Sequence, residues 1–250
     1  KVNENTTFSD FMKDITLGLF FKKTLIVDVT AQDAGSGLAK AEYLLSEKAF
    51  EDKDAVDGDW TELTLTDGKA SFAIEPNKKA YIYLRMTDVR GNVQIINSEG
   101  VVVYTDSEAI TETVNFTMHD KDDVNFKVKL NGNTVKALYN GETMIDDSNY
   151  TVSENGTITL KNSYVSTLAI GEYTIRVAYN PLGESYVAGD EPAMTSVKLI
   201  VEKQQYNGTD KAEINDKDNK SALGEGVDGS NRHSASKNAE TGNTPKWRYK

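Results

Sequence analysis

Apolar residues recur along this chain with a period of two. Leu25, Val27, Val29 and Ala31 alternate with Thr24, Ile26, Asp28 and Thr30, the pattern of a strand with one buried face. Ala39, Ala41, Tyr43 and Leu45 alternate with Lys40 and Glu42 after a loop-forming run at 33–37. Short strands follow near 60–65 and 70–74, with Asp67-Gly68 as a hairpin signal between them. Ala80, Ile82, Leu84 and Met86 line one face of a further strand, and Tyr81, Tyr83 and Arg85 line the other. A turn at 88–92 containing Gly91 leads to strands near 93–96 and 101–104. Only the beginning departs from this period. Phe8, Phe11, Met12 and Ile15 are spaced i, i+3, i+4, i+7, which predicts a short helix ended by Gly18.

A second set of strands starts near Glu108. Val114, Phe116 and Met118 alternate, as do Val124, Phe126, Val128 and Leu130. Asn131-Gly132, Asn140-Gly141 and Asn155-Gly156 mark three hairpin turns. Tyr150 and Val152, then Ile158 and Leu160, flank the last of these. Tyr173, Ile175, Val177 and Tyr179 form one strand, and Val197, Leu199 and Val201 close the set. From Lys203 the alternation ends, and isolated Ile214, Leu223 and Val227 sit among Asn, Asp, Lys, Ser and Gly. Such a segment buries too little apolar surface to offset an ordering cost of roughly 1–2 kcal/mol per residue. The expectation is therefore all-β: two tandem immunoglobulin-like β-sandwiches over 1–106 and 107–203, a short N-terminal helix, and a disordered spacer tail over 204–250. Tyr104-Thr105-Asp106-Ser107 is a short connection, so the modules should be stiffly articulated.

Charge and composition narrow the function. The formal charge of −11 repels nucleic acid. The absence of cysteine excludes disulfides and thiolate chemistry. No apolar run reaches the roughly 18–20 residues of a membrane span. The chain opens on Lys1, which suggests a piece of a longer protein.

Two family resemblances follow from particular residues. The stretch Ile15-Thr16-Leu17-Gly18-Leu19-Phe20-Phe21, then Ala31-Gln32-Asp33 with Ser36-Gly37-Leu38, Glu42-Tyr43-Leu44-Leu45-Ser46, Trp60, Ala80-Tyr81-Ile82-Tyr83 and Thr87-Asp88-Val89-Arg90-Gly91-Asn92-Val93 resembles an Ig-like repeat of Gram-positive surface proteins. That resemblance implies a stalk or linker domain. Phe116, Asp123-Val124, Leu130-Asn131-Gly132-Asn133-Thr134, Asn140-Gly141, Asn149-Tyr150-Thr151-Val152, Ile158-Thr159-Leu160, Tyr164-Val165-Ser166-Thr167-Leu168 and Gly171-Glu172-Tyr173-Thr174 are similar to the X-two module. This is an Ig-like domain of scaffoldins and secreted glycosidases, grouped with carbohydrate-binding modules. In the tail, Ala239-Glu240-Thr241-Gly242 resembles a degenerate sorting signal, with Ala239 in the place of proline; Thr241 and Gly242 are its candidate residues.

The chain offers few groups for catalysis. His119 lies in a polar run with Asp120, Asp122 and Asp123, and His233 lies in the tail; neither position is suited to a packed triad. The run at 119–123 reads as a metal cluster or, more simply, as a solvated turn. Asp216-Lys217-Asp218 begins like a calcium loop, but Lys220 and Ser221 stand where a ligand and glycine are required. Aromatic residues are the remaining candidates, because sugars stack on aromatic faces beside polar neighbours. Tyr81 and Tyr83 either form a platform with Trp60 or cover a sheet face beneath the residues at 8–15. Tyr139, Tyr164, Tyr179 and Tyr186 are candidates of the same kind in the second module.

The expectation is a non-catalytic, extracellular, monomeric pair of stalk modules with no cofactor. It would belong to a bacterial cell-surface or secreted protein and present an upstream glycan-active or adhesive domain from the cell wall. The alternative is an accessory module of a glycoside hydrolase that binds a polysaccharide or host glycan weakly, at about −4 kcal/mol. Removing residues 204–250 should leave the thermal midpoint within about 1 °C by calorimetry, since the segment lacks the apolar periodicity needed to dock.

Overall fold

The computed structural model describes residues 12–13, 15–33 and 35–204. The first set of strands is β1 (Leu17–Phe21), β2 (Leu25–Thr30), β3 (Leu38–Ser46), β4 (Thr61–Glu62), β5 (Lys69–Ile74), β6 (Lys78–Asp88), β7 (Val93–Asn97) and β8 (Gly100–Val103). Six of them form one sheet, in the order β1-β8-β6-β3-β4, with β7 beside the second half of β6. β2 and β5 pair antiparallel as the opposing layer. Leu25, Val27 and Val29 from β2, Phe72 and Ile74 from β5, and Ala80, Ile82, Leu84, Val101 and Val103 from the larger sheet meet as one buried core.

The second set is β9 (Glu108–Ala109), β10 (Thr113–Thr117), β11 (Val124–Lys129), β12 (Thr134–Asn140), β13 (Thr143–Ile145), β14 (Tyr150–Val152), β15 (Thr157–Leu160), α1 (Asn162–Val165), β16 (Gly171–Asn180), β17 (Ala188–Gly189) and β18 (Thr195–Glu202). One layer runs β10-β18-β16-β12-β13 and the other β14-β15-β11-β9. Phe116, Phe126, Leu138, Ile158, Leu160, Ile175, Val177 and Leu199 fill the space between them. These are the positions that alternate apolar along the strands, so the period-two pattern and the buried face coincide.

The larger sheet of the first sandwich is apolar on both faces. Every residue of β8 is buried, and so is Tyr104. Val101 and Val103 enter the sandwich core, while Val102 joins Phe20 and Tyr104 in a separate cluster on the outer face. Leu182 and Tyr186, from the turn after β16, pack on that cluster. The ring centroids of Phe20 and Tyr186 lie 5.4 Å apart in an edge-to-face arrangement.

β17 completes this contact by pairing parallel with β1, with Leu19 opposite Ala188 and Phe20 opposite Gly189. The Asp190 amide donates to the Phe20 carbonyl at 2.8 Å. The Lys22 amide donates to Asp190 Oδ2 at 2.9 Å, and the Tyr104 hydroxyl to the Asp190 carbonyl at 2.7 Å. A strand from the second set thus extends the sheet of the first. Polar groups also fix the connection itself. Asn133, which is buried, donates from Nδ2 to the Thr105 carbonyl at 2.8 Å and to Ser107 Oγ at 3.0 Å, and accepts from the Leu182 amide at 3.1 Å. Asn131 Nδ2 donates to the Asp106 carbonyl at 2.7 Å. Asp106 takes Lys22 Nζ at 2.8 Å on one oxygen and the Ala193 amide at 3.0 Å on the other.

The expected N-terminal helix falls mostly on residues 8–11, outside the described residues. Met12 and Ile15 are described and are not helical. Both the amide and the carbonyl of Met12 bond the side chain of Asn97, at 2.7 and 2.9 Å, and the Thr16 carbonyl accepts from Gly100 at 2.8 Å. The segment is therefore held against the sheet by partners 85 residues away, which local spacing does not register. The spacer tail also lies outside the described residues.

Gly189 is the steric limit of the seam. Its φ is +105°, and a Cβ there would stand 2.2 Å from the Phe20 carbonyl oxygen. Gly189→Val should therefore separate β17 from β1 and cost about 2–4 kcal/mol by urea denaturation. Gly91→Ala is the control. Its φ is +86° with nothing within 4 Å of the added carbon, so backbone strain alone should cost about 1 kcal/mol.

Candidate functional site

The outer face of β3 and β6 places the first group of candidates. Tyr83 is fully buried there with Ile15 and Leu44, and Met12, Phe50, Val56, Trp60 and Tyr81 pack around them. The Phe50 amide donates to the Tyr83 hydroxyl at 2.8 Å, and the two rings meet edge to face at 5.3 Å. Burial pushes the Tyr83 hydroxyl pKa up. This corrects one expectation: the loop before β4 covers Tyr83, so it offers no stacking surface. Trp60 is partly exposed, with the Arg85 guanidinium 4.3 Å from its ring centroid. Arg85 Nε and Lys40 Nζ each lie 2.7 Å from one oxygen of the buried Glu42. Trp60 is thus engaged by a cation held on a buried carboxylate.

Tyr81, half-buried, lines a cleft of about 740 Å³. Leu17, Leu45 and Ala80 give it apolar surface, and Glu47, Asn77, Lys78 and Lys79 supply polar groups. Leu182 and Glu184, from the turn that packs on Phe20, line it as well. Lys79 Nζ pairs with Glu184 Oε1 at 2.8 Å. A Cβ placed on Gly100 would stand 2.8 Å from Tyr81 Cε1, so the absence of a side chain at Gly100 makes room for the tyrosine ring. A second hollow of about 350 Å³ lies between Ala31, Leu38, Met86 and Ile96 and has no aromatic lining.

The second sandwich distributes its tyrosines differently. Tyr179 is buried, with its hydroxyl 2.6 Å from Thr195 Oγ1. It shares the inward face of β16 with Ile175 and Val177, and this corrects its reading as a binding residue. Tyr186 belongs to the seam, donating to the Gly189 carbonyl at 3.0 Å. Tyr164 packs against the core and accepts from Asn140 Nδ2 at 3.2 Å. Tyr139 is partly exposed on β12, opposite Met144 on one side and Arg176 on the other. Arg176 Cζ is 5.9 Å from the Tyr139 ring, and its Nη2 meets Glu142 Oε2 at 2.8 Å.

The polar turns at 88–92 and 119–123 are organised by hydrogen bonds. Asp88 accepts from Ser36 Oγ at 2.8 Å, from the amide and Nδ2 of Asn92 at 2.7 Å each, and from the Arg90 amide at 2.9 Å. These bonds hold its carboxyl below the usual range. The motif Asp88–Asn92 is therefore a turn organised by one carboxylate. His119 is exposed with a φ of +77° in the turn after β10. Asn162 ties that loop down by donating from its amide to Asp123 Oδ1 and from Nδ2 to the Asp120 carbonyl. Among the described residues, no group of three or more His, Asp or Glu side chains is placed to hold a metal ion. Thr241, Gly242, His233 and the 216–221 run lie outside the described residues.

Strand reasoning missed Phe20, Tyr104 and the turn Pro181–Gly183, which build the seam and one wall of the cleft. A signal was present. Leu17–Phe21 and the run at 101–104 are apolar without alternation, the pattern of a strand buried on both faces.

Fold and clefts together define a class: a tandem of β-sandwich modules joined through a shared sheet. Within it, residues 110–187 match the family described as Carbohydrate binding domain X2, and the second sandwich is similar to that family over this stretch. No curated protein sequence matches the chain. Similar solved structures include a tri-modular GH5 (subfamily 4) endo-β-1,4-glucanase from Bacillus licheniformis complexed with cellotetraose, at 13% identity and a TM-score of 0.37 over 74% of this chain. The fibronectin(III)-like modules of CbhA from Clostridium thermocellum are 11% identical at 0.28, covering 79% of this chain and 94% of theirs. SGBP-B of Bacteroides ovatus, in complex with a mixed-linkage heptasaccharide, is 14% identical at 0.30, covering 79% of this chain and 48% of its own. The chain spans 37% of the length of the glucanase.

Glu42 gives the site a pH dependence. The Arg85 hydrogen bond, reinforced by Lys40, outweighs desolvation and lowers its pKa. A carboxylate lowered on folding stabilises above its unfolded value of about 4.3 and loses that contribution as pH falls through the lower folded value. The urea midpoint of Glu42→Gln should therefore lie below wild type at pH 7, and the gap should close toward pH 3.

Proposed function

We propose that the chain is a non-catalytic, carbohydrate-associated accessory segment of an extracellular bacterial protein, and that its two sandwiches act as one stiff spacer. The observation that carries the spacer reading is the seam. A parallel strand pair, a buried Phe20–Tyr104–Tyr186 contact and an Asp106 bonded to both Lys22 and Ala193 leave little freedom at the 105–107 connection. The match of residues 110–187 to a carbohydrate-binding family supports the carbohydrate association. The division into folding units near 105–107 is part of the proposal, since a separate core lies on each side. A spacer of this kind holds a neighbouring domain at a set distance and angle from its anchorage or substrate.

Residual dipolar couplings from the full chain test the stiffness. One alignment tensor should fit amides of both sandwiches in the wild type, and two should be needed in Gly189→Val. Two tensors in the wild type would overturn the spacer reading. Gels containing soluble polysaccharide test the association: retardation is expected, without release of reducing sugar.

A further inference from the structure

We propose that the cleft between Tyr81 and the turn Pro181–Gly183 is a saccharide subsite for a neutral glycan, assembled only when the two sandwiches are docked. The inference rests on the carbohydrate-associated reading above and names the place and the class of sugar.

Several independent features converge on this cleft. Its volume of about 740 Å³ falls within the roughly 300–1,000 Å³ common for small-molecule sites. Its lining combines an aromatic ring with aliphatic surface and with an amide, carboxylates and ammonium groups. Sugars need this mixture, since a pyranose has an apolar face for stacking and hydroxyls that both donate and accept. Two other hollows differ from it: the one beside Asp88 has no aromatic residue, and the one beside Asp122 and Asp123 sets three aspartates and no cation around Phe116, whose ring is buried in the core.

Charge selects the class of ligand. The charged groups of the cleft are Glu47, Glu184, Lys78 and Lys79, two of each sign. Lys79 and Glu184 already neutralise each other. A uronic acid or an amino sugar would meet as much repulsion as attraction, whereas a neutral hexose or pentose would not.

The wall from the second sandwich is held in place at a cost. Leu182 has φ +46° and ψ +30°, a left-handed conformation uncommon for a residue that is neither glycine nor asparagine. The Asn133 carboxamide bonds its amide, and its side chain both packs on the seam cluster and lines the cleft. Strain persists where the surroundings over-determine it, and such positions gather at binding sites. Because Leu182 and Glu184 reach the cleft only through the docked turn, saccharide binding and module docking should be linked.

The test is a titration of the isotope-labelled full chain with cellohexaose, xylohexaose and hexagalacturonate, followed by amide shifts. At least one neutral probe should shift residues 77–81 and 182–184 together at millimolar concentration, and hexagalacturonate should not. Tyr81→Ala should weaken binding at least tenfold and Tyr81→Phe should retain it. Asn77→Gly should weaken binding several-fold, because glycine keeps the turn, whose φ is +67°, and removes only the amide. Gly189→Val should weaken binding although it changes no lining residue, and Tyr139→Ala should have no effect. Binding that survives Tyr81→Ala and Asn77→Gly, or that moves Tyr139 and Arg176 instead, overturns the cleft and leaves the carbohydrate reading intact. A preference for hexagalacturonate overturns the neutral assignment. No shift with any probe, together with no retardation in polysaccharide gels, overturns the carbohydrate reading and the cleft with it.

Discussion

A sheet with two apolar faces must be covered twice, and the sheet β1-β8-β6-β3 has two. One face closes the first sandwich against β2 and β5. The other carries Phe20, Val102, Tyr104, Leu44 and Tyr83, all buried, and among the described residues no third layer of the same module lies over it. Two covers complete it. Ile15 and the loop bearing Phe50 and Val56 close one part, and Leu182 and Tyr186 from the second sandwich close the other. Docking of the modules thus follows from the composition of β1 and β8. A large aromatic side chain buries on the order of 150–250 Å², worth several kcal/mol at about 25 cal/mol per Å². Stripping the cover from Phe20 and Tyr104 forfeits a good part of that. The Lys79–Glu184 pair, more than a third exposed on both sides, contributes at most about 1 kcal/mol. The seam is held by its aromatics, and its ion pairs add direction.

Direction comes from polar groups along the seam and the connection. Asp106 accepts from Lys22 and from Ala193. The Tyr104 hydroxyl reaches the Asp190 carbonyl, and its pKa is raised by burial first and by the charges of Asp106 and Asp190 next. It therefore remains a neutral donor across the physiological range, and this bond does not switch with pH. Asn133 bonds the connection on one side and Leu182 on the other. An apolar contact alone would tolerate sliding, but these bonds each have one satisfied geometry. The same Asn131-Gly132-Asn133 turn that reads as a plain hairpin signal is also what holds the 105–107 connection.

Most strands were legible because, like β2, β11 and β18, they have one wet face and one dry one, and alternation records that difference; β8, buried on both faces, is the exception. Most of the residues that were misplaced belong to second contacts. Tyr83 alternates outward from its own core, as expected, but is then buried by a distant loop. Tyr179 lies in phase with Ile175 and Val177, and that phase already assigned it to the core. β17 is two residues long, exposed, and pairs Ala188 and Gly189 with Leu19 and Phe20 of β1; no window of local sequence contains that relation. Of the short helix expected around 8–15, Met12 is described and is not helical, and its backbone bonds the Asn97 side chain, a partner that local spacing ignores. Among the aromatic candidates, Tyr81 was distinguished by nothing in its own strand. Its distinction lies in the turn at 181–184, on the other side of the connection.

The matched stretch of the second sandwich ends at residue 187, immediately before Ala188 and Gly189 pair with β1. Leu182 and Tyr186 lie inside it, whereas Gly189 and Asp190 lie beyond it. The docking surface is therefore formed where the family-like stretch meets the return to β18. Two conditions meet in this short segment. Leu182 must take a left-handed conformation so that it lies over Phe20, and Gly189 must lack a side chain so that its backbone can approach the Phe20 carbonyl. Leu182 is held from both modules: the Asn133 carboxamide of the second sandwich accepts from its amide, and its side chain packs on the Phe20 cluster of the first. The strain at Leu182 is offset by the Asn133 bond and by the seam contact together, and the turn they hold forms one wall of the cleft beside Tyr81.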